Sequence, residues 1–261
     1  MQIIKIYILL LPLLWLLSCS APHDNPLDPA SPNYVEPDPP VIVPPDPTFS
    51  TSLQSVHKDR TSIDTYRLIA ELWPDSNMII DSVTVQYMNT TARTCRFLSN
   101  NGHWSYTFIP NNFGSDDLEV AVGQPFYYHV YTPDGPIWDV GPAYLIRVLH
   151  ETTTTNSPSG GESVSPFPVM TWEPYNVTFP FTYKVVIEFV TRQVAIDTAW
   201  VSESLASNIT SVAVTDSLFD SVPNQASDSL YYQWTIVAYD NFGNLVSSIE
   251  AVFNVDSGVE R

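Results

Sequence analysis

Basic residues are scarce. Ten Lys and Arg stand against 28 Asp and Glu in 261 residues, a formal net charge of −18. Affinity for nucleic acid rests on neutralising phosphates with Lys and Arg, so a nucleic-acid partner is disfavoured. Electrostatic docking on anionic lipid is disfavoured for the same reason. Cysteine is nearly absent: Cys19 and Cys95 are the two in the chain, and neither has zinc-ligand spacing. His23, His57, His103, His129 and His150 are scattered without a His-x-His or His-x-x-His pair, so a metal site has nothing to start from. No Gly-x-Ser-x-Gly elbow is present, and no pair of acids is marked out as general acid and base. No motif implies a cofactor. These absences point away from an enzyme. Long segments of helical period are missing too, and Leu118 to Val122 and Ser217 to Ser221 are each read as no more than a helical turn.

Long hydrophobic runs are limited to one, at the N-terminus. Ile3 to Leu17 is apolar except for Lys5 and Pro12. A spanning helix needs about 20 apolar residues, so this run is too short to be one. A basic residue, an apolar stretch and then a small residue give the layout of a secretory signal. Leu16-Leu17-Ser18-Cys19 resembles the lipobox of bacterial lipoproteins. The resemblance implies a signal peptide over 1–18, cleavage before Cys19, and lipid on the Cys19 sulfur. Ser20 in the next position implies sorting to the outer membrane. The expected location is the cell envelope, with the membrane reached through lipid on Cys19.

Proline, in contrast, is abundant behind that cysteine. Residues 20–47 hold ten prolines, from Pro22 to Pro47. Proline fixes φ and removes a hydrogen-bond donor, so helix and sheet are both excluded there. Residues 19–48 are read as a disordered proline-rich linker. In extended polyproline II, at about 3.1 Å per residue, it reaches on the order of 80 Å.

Aromatics are also plentiful, with 14 Tyr, 12 Phe and 7 Trp. From Leu53 onward the apolar residues alternate, as half-buried antiparallel strands do. Tyr66, Leu68, Ala70 and Leu72 form one run, and Val83, Val85 and Tyr87 another. Cys95 and Phe97 are read on one strand face, with Cys95 as a small buried hydrophobe. Asn101-Gly102 marks a hairpin into Trp104, Tyr106 and Phe108. Tyr128 and Val130 follow, then a turn at Pro133 to Pro136, then Tyr144, Ile146 and Val148. The second half repeats the scheme. Met170 and Trp172 make a short strand, and Tyr183, Val185, Ile187 and Phe189 a long one. Ile209 to Thr215 is read as a strand. Leu230, Tyr232, Trp234, Ile236 and Ala238 alternate up to a turn at Asp240 to Asn244. Ile249, Ala251, Phe253 and Val255 close the chain.

Phe126-Tyr127-Tyr128-His129-Val130 aligns with Leu230-Tyr231-Tyr232-Gln233-Trp234, which suggests two copies of one sandwich unit. The paired tyrosines suit a tyrosine corner. Residues 157–256 resemble a fibronectin type III domain, through Val169 to Pro174, Tyr183 to Ile187, and Tyr232 to Asp240 with Gly243-Asn244. Residues 49–149 are similar to a generic immunoglobulin-like sandwich and lack a counterpart of Trp172. The fold class read here is all-β: two tandem antiparallel β-sandwiches, 49–149 and 150–257, after the stalk, with a short tail at 258–261.

Trp138, next to the proline turn, and Trp200, after Asp197-Thr198, are the candidate ligand contacts. Asp116-Asp117 and Asp240-Asn241 carry oxygens that suit calcium, but neither loop has EF-hand spacing and turn chemistry explains both. The function expected is that of a non-enzymatic, lipid-anchored envelope protein that binds or adheres through its sandwich loops to a protein or glycan. The rival is a structural spacer or assembly subunit, and a surface glycan-binding accessory protein stands third.

Overall fold

The computed structural model describes residues 46–61, 64–74, 78–133, 135–191, 196–219 and 229–256. Cys19, the stalk up to residue 45 and the 258–261 tail lie outside them. From Pro47 onward the chain forms one compact unit.

Period-two alternation builds the first half. Its strands are β1 (Phe49–Lys58), β2 (Thr65–Pro74), β3 (Ser82–Tyr87), β4 (Arg93–Thr94), β5 (Arg96–Leu98), β6 (His103–Phe108), β7 (Pro125–Tyr131) and β8 (Trp138–Tyr144). Leu68, Ala70 and Leu72 of β2 point inward with Val83 and Val85 of β3. They meet Phe126, Tyr128 and Val130 of β7 in one core cluster. Each such large apolar side chain contributes about 1.5–3 kcal/mol on burial. Two sheets enclose this core: β4-β3-β7-β8 on one side and β1-β2-β6-β5 on the other. The Asn100–Gly102 turn joins β5 to β6, with Gly102 at φ 67°. Two short 3₁₀ turns, Pro110–Phe113 and Leu118–Ala121, precede β7, and Asp117 caps the second through Glu119 N–H.

Two readings of this half are corrected. Cys95 is buried, but Phe97 is 48% exposed. The chain passes from one sheet to the other at Cys95, since β4 pairs with β3 and β5 with β6, so alternation does not carry across it. Burial pushes the Cys95 thiol up to about 12. In the segment after β7, Tyr144 and Ile146 are exposed and Leu145 is buried instead. A register shift lies opposite Gly141, which sits at φ 125°. A β-carbon there would come within 2.8 Å of the Phe126 carbonyl oxygen. Trp138 and Val140 face the core before that point, Ala143 and Leu145 after it, so the inward phase flips.

The second half contains β9 (Thr155–Ser157), β10 (Glu162–Val164), β11 (Val169–Trp172), β12 (Phe181–Thr191), β13 (Ile196–Val201), β14 (Leu205–Ala206), β15 (Ser211–Ala213), β16 (Ser229–Asp240), β17 (Leu245–Ser247) and β18 (Ala251–Val255). A three-stranded sheet, β15-β11-β9, faces β12 and β16 across Met170, Trp172, Tyr183, Ile187, Trp234 and Phe253. Of the strand read over Ile209 to Thr215, only Ser211–Ala213 forms. Leu218 and Phe219 form a turn, and the rest of the helical turn read over Ser217 to Ser221 lies in part outside the described residues. Ile249 is exposed and outside β18, because the last strand is broken at residues 248–250. Tyr232 behaves as a corner residue: its hydroxyl donates to the Leu218 carbonyl at 3.0 Å. Tyr128, its counterpart, donates instead to Ser52 of β1 at 3.3 Å, and so ties the two sheets of the first half together.

The halves are joined by a strand pairing. β1 runs parallel to β17, with Val56 opposite Leu245 and Lys58 opposite Ser247. One sheet of 11 strands therefore runs through both halves. Val148 packs into the first core and Leu149, its neighbour, into the second.

Candidate functional site

β1 has two faces at this junction, and each meets the second half differently. The inward face carries Ser55 and His57. Asn244 is fully buried, and its Oδ1 accepts from Ser55 N–H at 2.8 Å and from the Ser55 hydroxyl at 3.1 Å. Asp240 supplies the other half of the tie. Its Oδ1 accepts from the N–H groups of Phe242 and Asn244, and its Oδ2 from the Asn244 amide. Arg147 Nε lies 3.3 Å from the same Oδ2, and its guanidinium covers the Phe179 ring at 4.4 Å. His57 contacts the Leu149 carbonyl at 3.2 Å and Asp64 at 2.7 Å, and stacks on Tyr66. The Asp240 loop, considered for calcium, thus spends its oxygens on its own turn and on Arg147. Among the described residues no group of three or more His, Cys, Asp or Glu is placed to hold a metal ion.

The outward face of β1 opens into a groove of about 870 Å³ across the continuous sheet. Alternation decides its lining. Leu68, Tyr232 and Phe253 point into the cores, so their neighbours Arg67, Ile69, Tyr231, Gln233 and Val252 point the other way. Val56, Ile69, Leu245 and Val252 supply an aliphatic surface. Thr65, Thr107, Tyr231 and Gln233 add hydroxyls and an amide, and Lys58, Arg60 and Arg67 add charge.

Arg60 is already occupied. Its Nη1 lies 2.7 Å from Glu250 Oε1 and 3.7 Å from Glu188 Oε2. Glu250 Oε2 accepts from Thr61 N–H at 3.0 Å and from the Thr61 hydroxyl at 3.2 Å. Burial alone would raise the Glu250 carboxyl, but these hydrogen bonds and the Arg60 charge outweigh it and hold the group below its ordinary value. Lys58 and Arg67 are both exposed and have no ion-pair partner among the described residues.

The residues picked out beforehand lie elsewhere. Trp138 starts β8 and Trp200 belongs to β13, and both are half-buried against the cores. The structure does not bring them together with the groove lining. His129 points to the solvent side, 2.6 Å from Asp139, and His150 lies 3.2 Å from Glu119. His103 is buried 3.2 Å from Glu71 without forming a hydrogen bond. Cys19 and His23 lie outside the described residues. The groove was missed because its residues come from strands far apart in sequence. The signal available was the outward phase of β1 and β2 next to a cluster of basic residues.

No helix among the described residues is long and apolar enough to cross a membrane. No family model and no curated protein matches the chain. Among solved structures, the chain is similar to the fibronectin(III)-like modules of Clostridium thermocellum CbhA. That match has 9% identity and a TM-score of 0.30, over 82% of this chain and 98% of that one. It is also similar to the FN1–FN3 domains of chicken CNTN1, at 13% identity and a TM-score of 0.29, over 79% of this chain and 66% of that one.

Proposed function

We propose that this chain is a lipid-anchored, non-enzymatic binding protein of the cell envelope, held through Cys19, with its ligand seated in the groove at the junction of its two halves. The lipobox-like Leu16-Leu17-Ser18-Cys19 supports the anchor. The observation that carries the binding reading is the outward sheet face shared by β1, β2, β16 and β18, which is concave and lined by mixed aliphatic and polar side chains. A concave surface on rigid strands that sets polar groups beside aliphatic ones can orient a ligand. The expected surface moves from the sandwich loops to the sheet face. The parallel β1–β17 pairing also favours a second reading, a rigid spacer, because the pairing resists bending at the joint.

Two experiments separate these readings in producing cells. Labelling with an alkyne fatty acid should mark the wild type and not Cys19→Ala, and label retained in the variant defeats the anchor. A photo-crosslinking residue in place of Thr107, in the groove, should capture a partner, while one in place of Asn241, in the turn, should not. Capture from the turn alone returns the site to the loops. Capture from neither position favours the spacer.

A further inference from the structure

We propose that the groove takes an extended acidic peptide, gripped by Lys58 and Arg67 through carboxylates two residues apart. This rests on the groove being the binding surface.

The first observation is where the positive charge sits. Seven Lys and Arg fall within the described residues, and three of them, Lys58, Arg60 and Arg67, line this one groove. A chain of net charge −18 has concentrated its scarce cations on one face. Acids more than about 8 Å away are largely screened at physiological ionic strength, and the near carboxylates Glu250 and Glu188 lie against Arg60. The lining contains one acid, Glu250, whose two oxygens are held by Arg60 and Thr61. Lys58 and Arg67 thus remain as the cations a ligand can meet.

Register supplies the second observation. Val56 is opposite Arg67 and Lys58 is opposite Thr65, so Lys58 and Arg67 are diagonal neighbours on one face. Such diagonal residues stand about 7–8 Å apart, with their β-carbons somewhat closer. An extended peptide repeats its same-side side chains at about 6.4–6.8 Å. Two carboxylates at i and i+2 therefore match the two cations one to one.

The third observation separates peptide from glycan. Sugar rings stack on aromatic faces, and the lining offers Tyr231 alone, with no Trp or Phe. Val56, Ile69, Leu245 and Val252 suit aliphatic side chains next to the acids.

The test uses the full chain in mild detergent and a fluorescent synthetic peptide carrying Glu at i and i+2 with Val and Ile beside them. Fluorescence anisotropy should show binding that weakens as salt rises, and the same peptide with Gln for Glu should lose it. Lys58→Gln and Arg67→Gln should each weaken binding about fivefold, the upper range for one exposed charge pair. Arg93→Gln, on β4 outside the groove, should change nothing. Equal binding of the Gln peptide, or indifference to both groove variants, overturns the inference. Binding of polygalacturonate in place of the peptide overturns it in favour of a glycan. Capture from Thr107 with no peptide binding would end this inference and leave the groove reading standing. Loss of capture at Thr107 would end both.

Discussion

Two polar clusters flank the same strand and have opposite characters. On the inward side of β1, the Asp240–Asn244–Ser55–Arg147 cluster is closed: each carboxylate and amide oxygen in it accepts from a group within the cluster. On the outward side, Arg60 is paired with Glu250 while Lys58 and Arg67 face the groove with no ion-pair partner among the described residues. Buried polar groups must be satisfied, since an orphaned donor or acceptor costs about 1–3 kcal/mol. Exposed ones are satisfied by water and can exchange it for a ligand. The closed cluster holds the halves together, and the open one is where a ligand can bind. Substitutions that respect or violate this division test it.

The largest effect belongs to Asp240→Ala. It removes a fully buried carboxylate and strands Arg147 and two N–H groups. Arg147 keeps 29% of its side chain exposed, so water takes up most of its lost pairing, and the orphaned N–H groups set the cost at about 2–4 kcal/mol in urea denaturation of the full chain. A change below about 1 kcal/mol would mean that the turn is not tied in by Asp240. Asn244→Ala comes next. Ser55 N–H loses its acceptor inside the protein, a cost of about 1–3 kcal/mol by the same denaturation.

Much of the fold was readable because strand faces are written in local alternation. Tyr183, Val185, Ile187 and Phe189 are buried as that pattern predicts, and so are Tyr232, Trp234, Ile236 and Ala238, although the residues between the latter, Gln233, Thr235 and Val237, are buried too. It failed at Cys95, where the chain changes sheets, and at Gly141, where a register shift flips the phase. The joint has no local signature at all. Val56 meets Leu245, a parallel contact between residues far apart in sequence, and Val56 alone looks like any outward valine. The candidate site depends on that joint. Lys58, Arg60 and Arg67 already lie within ten residues of one another in the chain, but the groove they line appears only when β1 and β2 are set beside β16 to β18. Trp138 and Trp200 lie away from this groove, each half-buried against a core.

Glu250 sharpens the comparison, since it is the one groove acid and it behaves like a member of the closed cluster. Its folded-state value lies below the ordinary 4.5. A depressed carboxyl contributes stability that is present above its unfolded value and is lost as pH falls through the folded value. Wild type should therefore be more stable than Glu250→Gln at neutral pH, and the gap should close as pH drops below about 4.5 and the wild-type carboxyl protonates. Comparing the two proteins cancels the other carboxylates. A gap that does not narrow at all as pH falls below about 4.5 would mean that the side chain acts through packing and not through its charge.

The smallest stability effect should come from the two groove cations. Lys58 and Arg67 are exposed and make no ion pair among the described residues, so Lys58→Gln and Arg67→Gln should each change unfolding free energy by no more than about 0.5 kcal/mol. That near-zero result carries weight because the strands involved are the ones that join the halves. If either variant lost stability on the scale of Asn244→Ala, its cation would belong to the joint, and the division between a closed inner face and an open outer face would fail. If both are neutral, β1 and β2 hold these charges at no benefit to the fold, as expected of side chains kept for a partner.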